Sequence, residues 1–242
     1  MEFEFKIDKS EVLRYLNTAE DFAEQSIHNL IDEAIVELKE IINFRYIYKK
    51  FPIEVRESGV DIKNTTLYLK GDSIVKHLKN SPEVFLMAAT LGNQVDKRIS
   101  YYEKTSITKS MILDACAATA IEEACDYLEE KIKKQVLAEG KKGITFRYSP
   151  GYGDLELEIQ KEFLNVLNAP KKIGLTASKY NLLMPAKSVT AIIGVLEKNE
   201  SQAIEEKNKG INDSFEEKNC KYCRLYKECE LRKEGVYCGF RK

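Results

Sequence analysis

Two histidines, no tryptophan and no surplus of either charge narrow what this 242-residue chain can be before any motif is read. His28 and His77 fall on separate helical stretches without companion ligands, so the sequence offers no histidine-based triad or metal site. Lys and Arg number 38 against 39 Asp and Glu, and no region concentrates the basic residues without acidic ones beside them. A face that tracks nucleic-acid phosphates therefore has no electrostatic footing. The most apolar run, residues 84–91, is far shorter than the roughly 20 residues a membrane span needs, and Met1-Glu2-Phe3-Glu4 is too acidic and too mixed for a secretory signal. The expectation is a cytoplasmic protein with no nucleic-acid and no membrane partner. Neither a P-loop nor a dinucleotide fingerprint occurs, because Gly151-Tyr152-Gly153 lacks the third glycine and the helix-opening context. No repeat of fixed period is visible.

At 43% hydrophobic residues the chain can bury a substantial core, and its length fits one large domain with an appendage. Ser10 is a candidate N-cap for a first helix over residues 10–16. Apolar residues at helical spacing, from Ile27 to Ile42, predict a longer helix over 19–42. The period then changes: residues 44–51 and 66–70 are rich in aromatic and β-branched side chains and read as strands, with Ser58-Gly59 marking a turn. Gly71-Asp72-Ser73 opens a helix to about residue 80, and the apolar run from Val84 to Thr90 reads as a core strand. Further helices are predicted over 94–99 and 108–137, the second rich in alanine and ended by Gly140 and Gly143. Residues 144–148 read as a strand, Asp154 as the cap of a helix over 155–167 closed by Pro170, and 189–196 as a last strand. The order lacks a βαβ rhythm. The predicted fold class is α+β, a mixed or antiparallel central sheet with flanking helices, plus a small Cys-rich C-terminal module. The predicted boundaries are 1–197 for the main domain, 198–218 for a charged linker and 219–242 for the module.

Arg147-Tyr148-Ser149-Pro150-Gly151-Tyr152-Gly153-Asp154 places a planar cation, a tight turn and an aromatic face in one loop. Such a loop suits a ligand that carries a carboxylate and a second, positive centre. Read by itself, the same segment is equally a strand, a turn and a helix cap with Arg147 paired to a surface carboxylate. Downstream come Leu175-Thr176-Ala177-Ser178 and Met184-Pro185-Ala186-Lys187-Ser188-Val189. Together the two segments resemble the reactivation domain of cobalamin-dependent methionine synthase, over about residues 10–196.

That resemblance implies an S-adenosylmethionine site. In it Arg147 would hold the methionine carboxylate and Tyr152 would line the pocket. Pro150, Gly151 and Gly153 would shape a loop whose backbone amides approach the ligand, since nothing projects from the glycine α-carbons. Tyr180 matches an aromatic that contacts the same ligand, although Ala177 replaces the usual Glu and the spacing to Pro185 is longer. Glu122 falls near an acidic position beside the ribose or ammonium; read from the helix alone, Glu122 and Glu123 are ordinary exposed helix formers. A further acidic contact comes, in the family, from a Trp-containing segment, which has no counterpart here. The implied activity is reactivation of a methionine synthase: Co(II) cobalamin takes one electron and is trapped by methyl transfer from S-adenosylmethionine. No side chain need act as acid or base, so no catalytic residue is assigned. The implied partners are the cobalamin-carrying core of a methionine synthase, or a related corrinoid protein, and an electron donor such as flavodoxin or ferredoxin. The chain lacks a cobalamin-binding Asp-x-His-x-x-Gly and the other synthase modules, so a stand-alone unit is expected.

Six cysteines divide into two kinds. Cys116 and Cys125 lie in the alanine-rich helix, while Cys220-x2-Cys223-x5-Cys229-x8-Cys238 forms a terminal cluster. In a reducing compartment such a cluster reads as a metal site rather than a disulfide framework. Its second pair is spread too wide for two tight zinc corners, which favours an iron–sulfur cluster with zinc as the alternative. Two other readings stay open: an S-adenosylmethionine-binding docking module with structural zinc, and a reductive activator of another corrinoid methyltransferase.

Overall fold

The computed structural model describes residues 3–18 and 24–197. The linker, residues 198–218, and the cysteine module, residues 219–242, lie outside them, as do residues 19–23 of the predicted second helix. Helix α1 (Lys9–Tyr15) is capped by Asp8, whose carboxylate accepts from the Ser10 N–H at 2.9 Å. Ser10 is therefore inside the first turn rather than the cap, because an aspartate already stands where the chain enters the helix. Helix α2 (Gln25–Ile41) follows.

Strand β1 (Arg45–Arg56) is longer than the aromatic-rich segment that predicts it. It pairs through Pro52 with β4 (Glu83–Thr90), and from Ile53 onward with β2 (Gly59–Ile62), which the sequence pattern does not announce. β3 (Tyr68–Lys70) adds to β2, and α3 (Asp72–Leu78) leads to β4. Two helices come next, α4 (Asn93–Thr105) and the 32-residue α5 (Ile107–Ala138). Short β5 (Gly143–Ile144), α6 (Gln160–Leu167), α7 (Ala169–Ile173), the hairpin β6 (Thr176–Ala177) and β7 (Leu183–Met184), and β8 (Ser188–Leu196) complete the order. Gly143 thus starts a strand, and Pro170 lies in the first turn of α7 instead of ending α6, a place where its missing N–H costs nothing. Asn168, with φ 56°, ends α6.

The sheet runs β3-β2-β1-β4-β8-β5 with every pairing antiparallel. It is apolar on both faces at its centre, which is why β4 reads as a continuous hydrophobic run. Phe85, Met87 and Ala89 of β4 and Ala191, Ile193 and Val195 of β8 enter one core with α1, α2, α4 and α5. Val84, Leu86, Ala88 and Ile192 enter a second core with α3, α6 and α7. The alternation follows from the two-residue period of a strand. On α5, Ala115, Ala117, Ala120 and Ala124 are buried, and their small side chains let this helix lie close to the sheet. No helix among the described residues is long and apolar enough to cross a membrane.

Cys116 and Cys125 are buried on α5, and burial pushes both thiols up to about 12. Thiols held protonated and out of solvent are poor nucleophiles. In native protein at pH 8, iodoacetamide followed by peptide mass spectrometry should leave both unmodified, and both should react once the chain is unfolded.

Candidate functional site

Between β5 and the loop that follows, the strand slips register against β8. Ile144 lies opposite Val195 and Tyr148 opposite Ile192, so four steps on one chain meet three on the other. One extra residue is accommodated, a β-bulge. Thr145 keeps its pairing, its N–H donating to the Gly194 carbonyl at 2.9 Å. The alternation is then reset: Ile144 packs in the α5 core and Tyr148 in the opposite one, although an unbroken strand would send both the same way. Arg147 consequently faces α5.

There its guanidinium meets three carboxylates. Nη1 lies 2.8 Å from Asp126 Oδ1 and 3.0 Å from Glu129 Oε2, and Nη2 donates to Glu122 Oε2 at 3.4 Å. The Arg147 side chain is only 18% exposed. Nη1 is buried and neither close carboxylate is aligned with it as a hydrogen bond, so these contacts are Coulombic and a well-aligned acceptor is missing among the described residues. Burial pulls the Arg147 guanidinium down, but the surrounding Cys125, Glu129 and Asp126 outweigh it and hold the group above its ordinary value. Burial raises Glu129, against the opposing pull of Arg147. Glu122, Asp126 and Glu129 recur at helical spacing on one stripe of α5, a pattern legible in the sequence though only Glu122 is singled out from it. The neighbouring Glu123 takes a different role and accepts from the Lys6 N–H at 2.8 Å, holding the N-terminal segment on α5.

After Tyr148 the chain turns sharply. Pro150 is buried, and Gly151 and Gly153 have φ of 94° and 55°. The Gly151 N–H donates to the Leu155 carbonyl at 2.7 Å, and the Tyr152 carbonyl accepts from both the Leu155 N–H and the Tyr148 hydroxyl. A Cβ at Gly153 would stand 2.5 Å from Tyr148 Oη and 2.9 Å from Ser73 Oγ, so any larger residue would push these side chains aside. The backbone of Tyr152 is thus fixed while its side chain is 59% exposed. Asp154 does not cap the helix that follows. Its carboxylate accepts from the Asp72 and Ser73 N–H groups at 2.6 and 3.0 Å and so caps α3, whose own N-cap, Gly71, has no side chain to do it.

The second segment also reaches α5, through a residue not singled out in the sequence. Lys187 pairs with Asp114 at 2.9 Å, about two turns before Glu122, and the Ala186 N–H donates to Asp96 Oδ2 at 2.7 Å. Tyr180 does not join this group. It sits between β6 and β7, 70% exposed, its N–H on Ser178 Oγ and its ring beneath Lys179, with no hydrogen bond or ring contact to Arg147. Among the described residues no group of three or more His, Cys, Asp or Glu could hold a metal ion. Cys220, Cys223, Cys229 and Cys238 lie outside the described residues.

No protein-family model matches the sequence, and no curated protein matches it. Among solved structures, a crystal structure of the MetH reactivation domain bound to AdoHcy aligns with a TM-score of 0.58 over 93% of this chain and 77% of that one, at 14% identity. The fold of the chain is that of the reactivation domain, as the two motifs led us to expect.

Beneath the bulge lies His77 of α3. Its Nε2 is 3.0 Å from Thr145 Oγ1, and its ring is 4.4 Å from that of Phe146 and 5.0 Å from that of Tyr148. Burial lowers it from 6.5 to about 4. The unfolded chain binds this proton at higher pH than the folded one, so the contribution is complete above about 6.5 and is lost as pH falls toward 4. The loss should reach roughly 3 kcal/mol across that window. Urea titrations between pH 7 and 4.5 should show the decline, and His77→Gln should flatten it.

Proposed function

We propose that this protein binds S-adenosylmethionine at Arg147 and the Pro150–Gly153 loop, and that it reactivates a cobalamin-dependent methionine synthase or a related corrinoid methyltransferase by reductive methylation. One observation carries the reading: a nearly buried guanidinium whose Nη1 has no aligned acceptor, set among three carboxylates. The fork of an arginine suits a ligand carboxylate in two parallel hydrogen bonds. Three carboxylates against one guanidinium leave excess negative charge, which favours a ligand that also bears positive centres. S-Adenosylmethionine combines a carboxylate, an ammonium and a sulfonium. The likeness of fold to a domain seen with AdoHcy supports the same ligand class.

In this reading Arg147 orients the methionine end, Glu122 accepts from the ammonium or a ribose hydroxyl, and the exposed Tyr152 ring covers the ligand. Pro150, Gly151 and Gly153 shape the turn that presents Tyr152. Tyr180, carried exposed on the β6–β7 hairpin, would be a second aromatic contact. The donor electron first converts Co(II) to Co(I) on the partner. The carbon–sulfur bond then breaks with its electron pair left on sulfur, the methyl group passes to cobalt, and S-adenosylhomocysteine leaves. No proton moves, so the protein contributes position and exclusion of water. The electron donor would be a flavodoxin or ferredoxin, and Cys220, Cys223, Cys229 and Cys238 would hold an iron–sulfur cluster able to pass on one electron; zinc would make the same tail structural.

Titration calorimetry with S-adenosylmethionine should show binding by the wild type and at least tenfold weaker binding by Arg147→Lys, which keeps the charge among the carboxylates and loses the fork. Equal affinities, or no binding by wild type, would show that the site is misplaced. For the tail, anaerobically prepared protein should carry iron and a broad visible absorbance that bleaches with dithionite, and Cys223→Ala should abolish both. Stoichiometric zinc without iron would remove the electron relay.

A further inference from the structure

We propose that Asp154 is the positioning residue for the ligand loop, locking residues 149–153 onto the start of α3 so that Tyr152 is presented in one arrangement before any ligand arrives. The inference rests on the reading of Arg147 and Tyr152 as a ligand site and adds to it the group that makes the loop rigid. Within the loop, hydrogen bonds are local: Tyr152 N–H to the Ser149 carbonyl at 3.1 Å, Gly151 N–H to Leu155 and Leu155 N–H to Tyr152. These bonds set the loop's own shape, and the Tyr148 hydroxyl, donating to the Tyr152 carbonyl at 3.1 Å, holds it to the core beneath. The carboxylate of Asp154 ties it to a segment more than eighty positions away, at 2.6 Å to the Asp72 N–H and 3.0 Å to the Ser73 N–H.

The neighbouring residues are fitted to that tie. Gly71 has φ 142°, and a Cβ there would stand 2.7 Å from Asp154 Oδ1, so any side chain at the N-cap would displace the carboxylate. Gly153 approaches Ser73 equally closely from the other side. A glycine on each partner thus permits the contact, and one carboxylate replaces the cap that α3 cannot supply for itself. Burial opposes ionisation of Asp154, but a hydrogen bond from the Ser73 side chain and those from backbone N–H groups, Ser73 and Asp72 among them, outweigh it and hold the carboxyl below its ordinary range. A loop ordered in advance spares the ligand the entropy of ordering it, and that saving appears directly as affinity.

The test combines amide exchange with a double-mutant cycle on full-length protein, with S-adenosylmethionine as the probe. In Asp154→Ala the Gly151 and Tyr152 amides should exchange about tenfold faster or more, and affinity should fall about tenfold. Asp154→Asn, whose amide oxygen still accepts one N–H, should recover part of both. In a Tyr152→Ala background, Asp154→Ala should have little further effect on affinity, because the residue acts through the loop; a general loss of stability would instead add in full. Unchanged affinity in Asp154→Ala, or an equal loss in the Tyr152→Ala background, would overturn the proposal while leaving the ligand site standing. Absence of binding by the wild type would overturn the ligand site itself, and the positioning role with it.

Discussion

A single extra residue between Thr145 and Tyr148 decides which layer of the fold Arg147 faces. Strand alternation is rigid, so a basic residue on a strand goes wherever the register sends it. Without the bulge, Arg147 would share a face with Thr145 and point at α3 and His77, a pocket that keeps a histidine neutral and holds no carboxylate in contact with it. With it, the guanidinium arrives at the one stripe of α5 that carries Glu122, Asp126 and Glu129. The charge is satisfied in bulk and unsatisfied in direction.

Helix α5 is the common reference for everything near the site. Its alanines bring it close to the sheet, its acidic stripe receives Arg147 from one segment and Lys187 from another, and Glu123 fastens the N-terminal residues to its flank. Two sequence motifs separated by about thirty residues therefore meet the same helix. Across the sheet, α3 does comparable work through its exposed N-terminus. The loop that carries Tyr152 is thus supported from the α3 layer, by Tyr148 packed below and Asp154 reaching sideways.

Much of this architecture was legible in the chain. The continuous apolar run of β4 announced a strand buried on both faces, the alanine-rich stretch announced α5, and the absence of a βαβ rhythm announced the α+β class. Short elements were not legible: β2, β6 and β7 are two to four residues long and owe their pairing to neighbours rather than to their own composition. Caps failed for a similar reason. Asp154 precedes a helix and reads as its cap, yet a helix distant in sequence lacked one and took it. The motif singles out Arg147, and the structure pairs it with carboxylates, which is what the segment read by itself implies. The bulge left no signal in composition, because one inserted residue changes register without changing character.

The sheet is strongly apolar in its middle and short at its ends. Among the described residues its outer strands are β3, three residues long, and β5, two residues long, and beyond β5 the bulge breaks the ladder again. An open sheet edge is a template on which another chain can add a strand, and flat, long edges invite aggregation. Here the irregularity that aims Arg147 also blunts one edge. Outer strands this short offer little edge for another chain to extend.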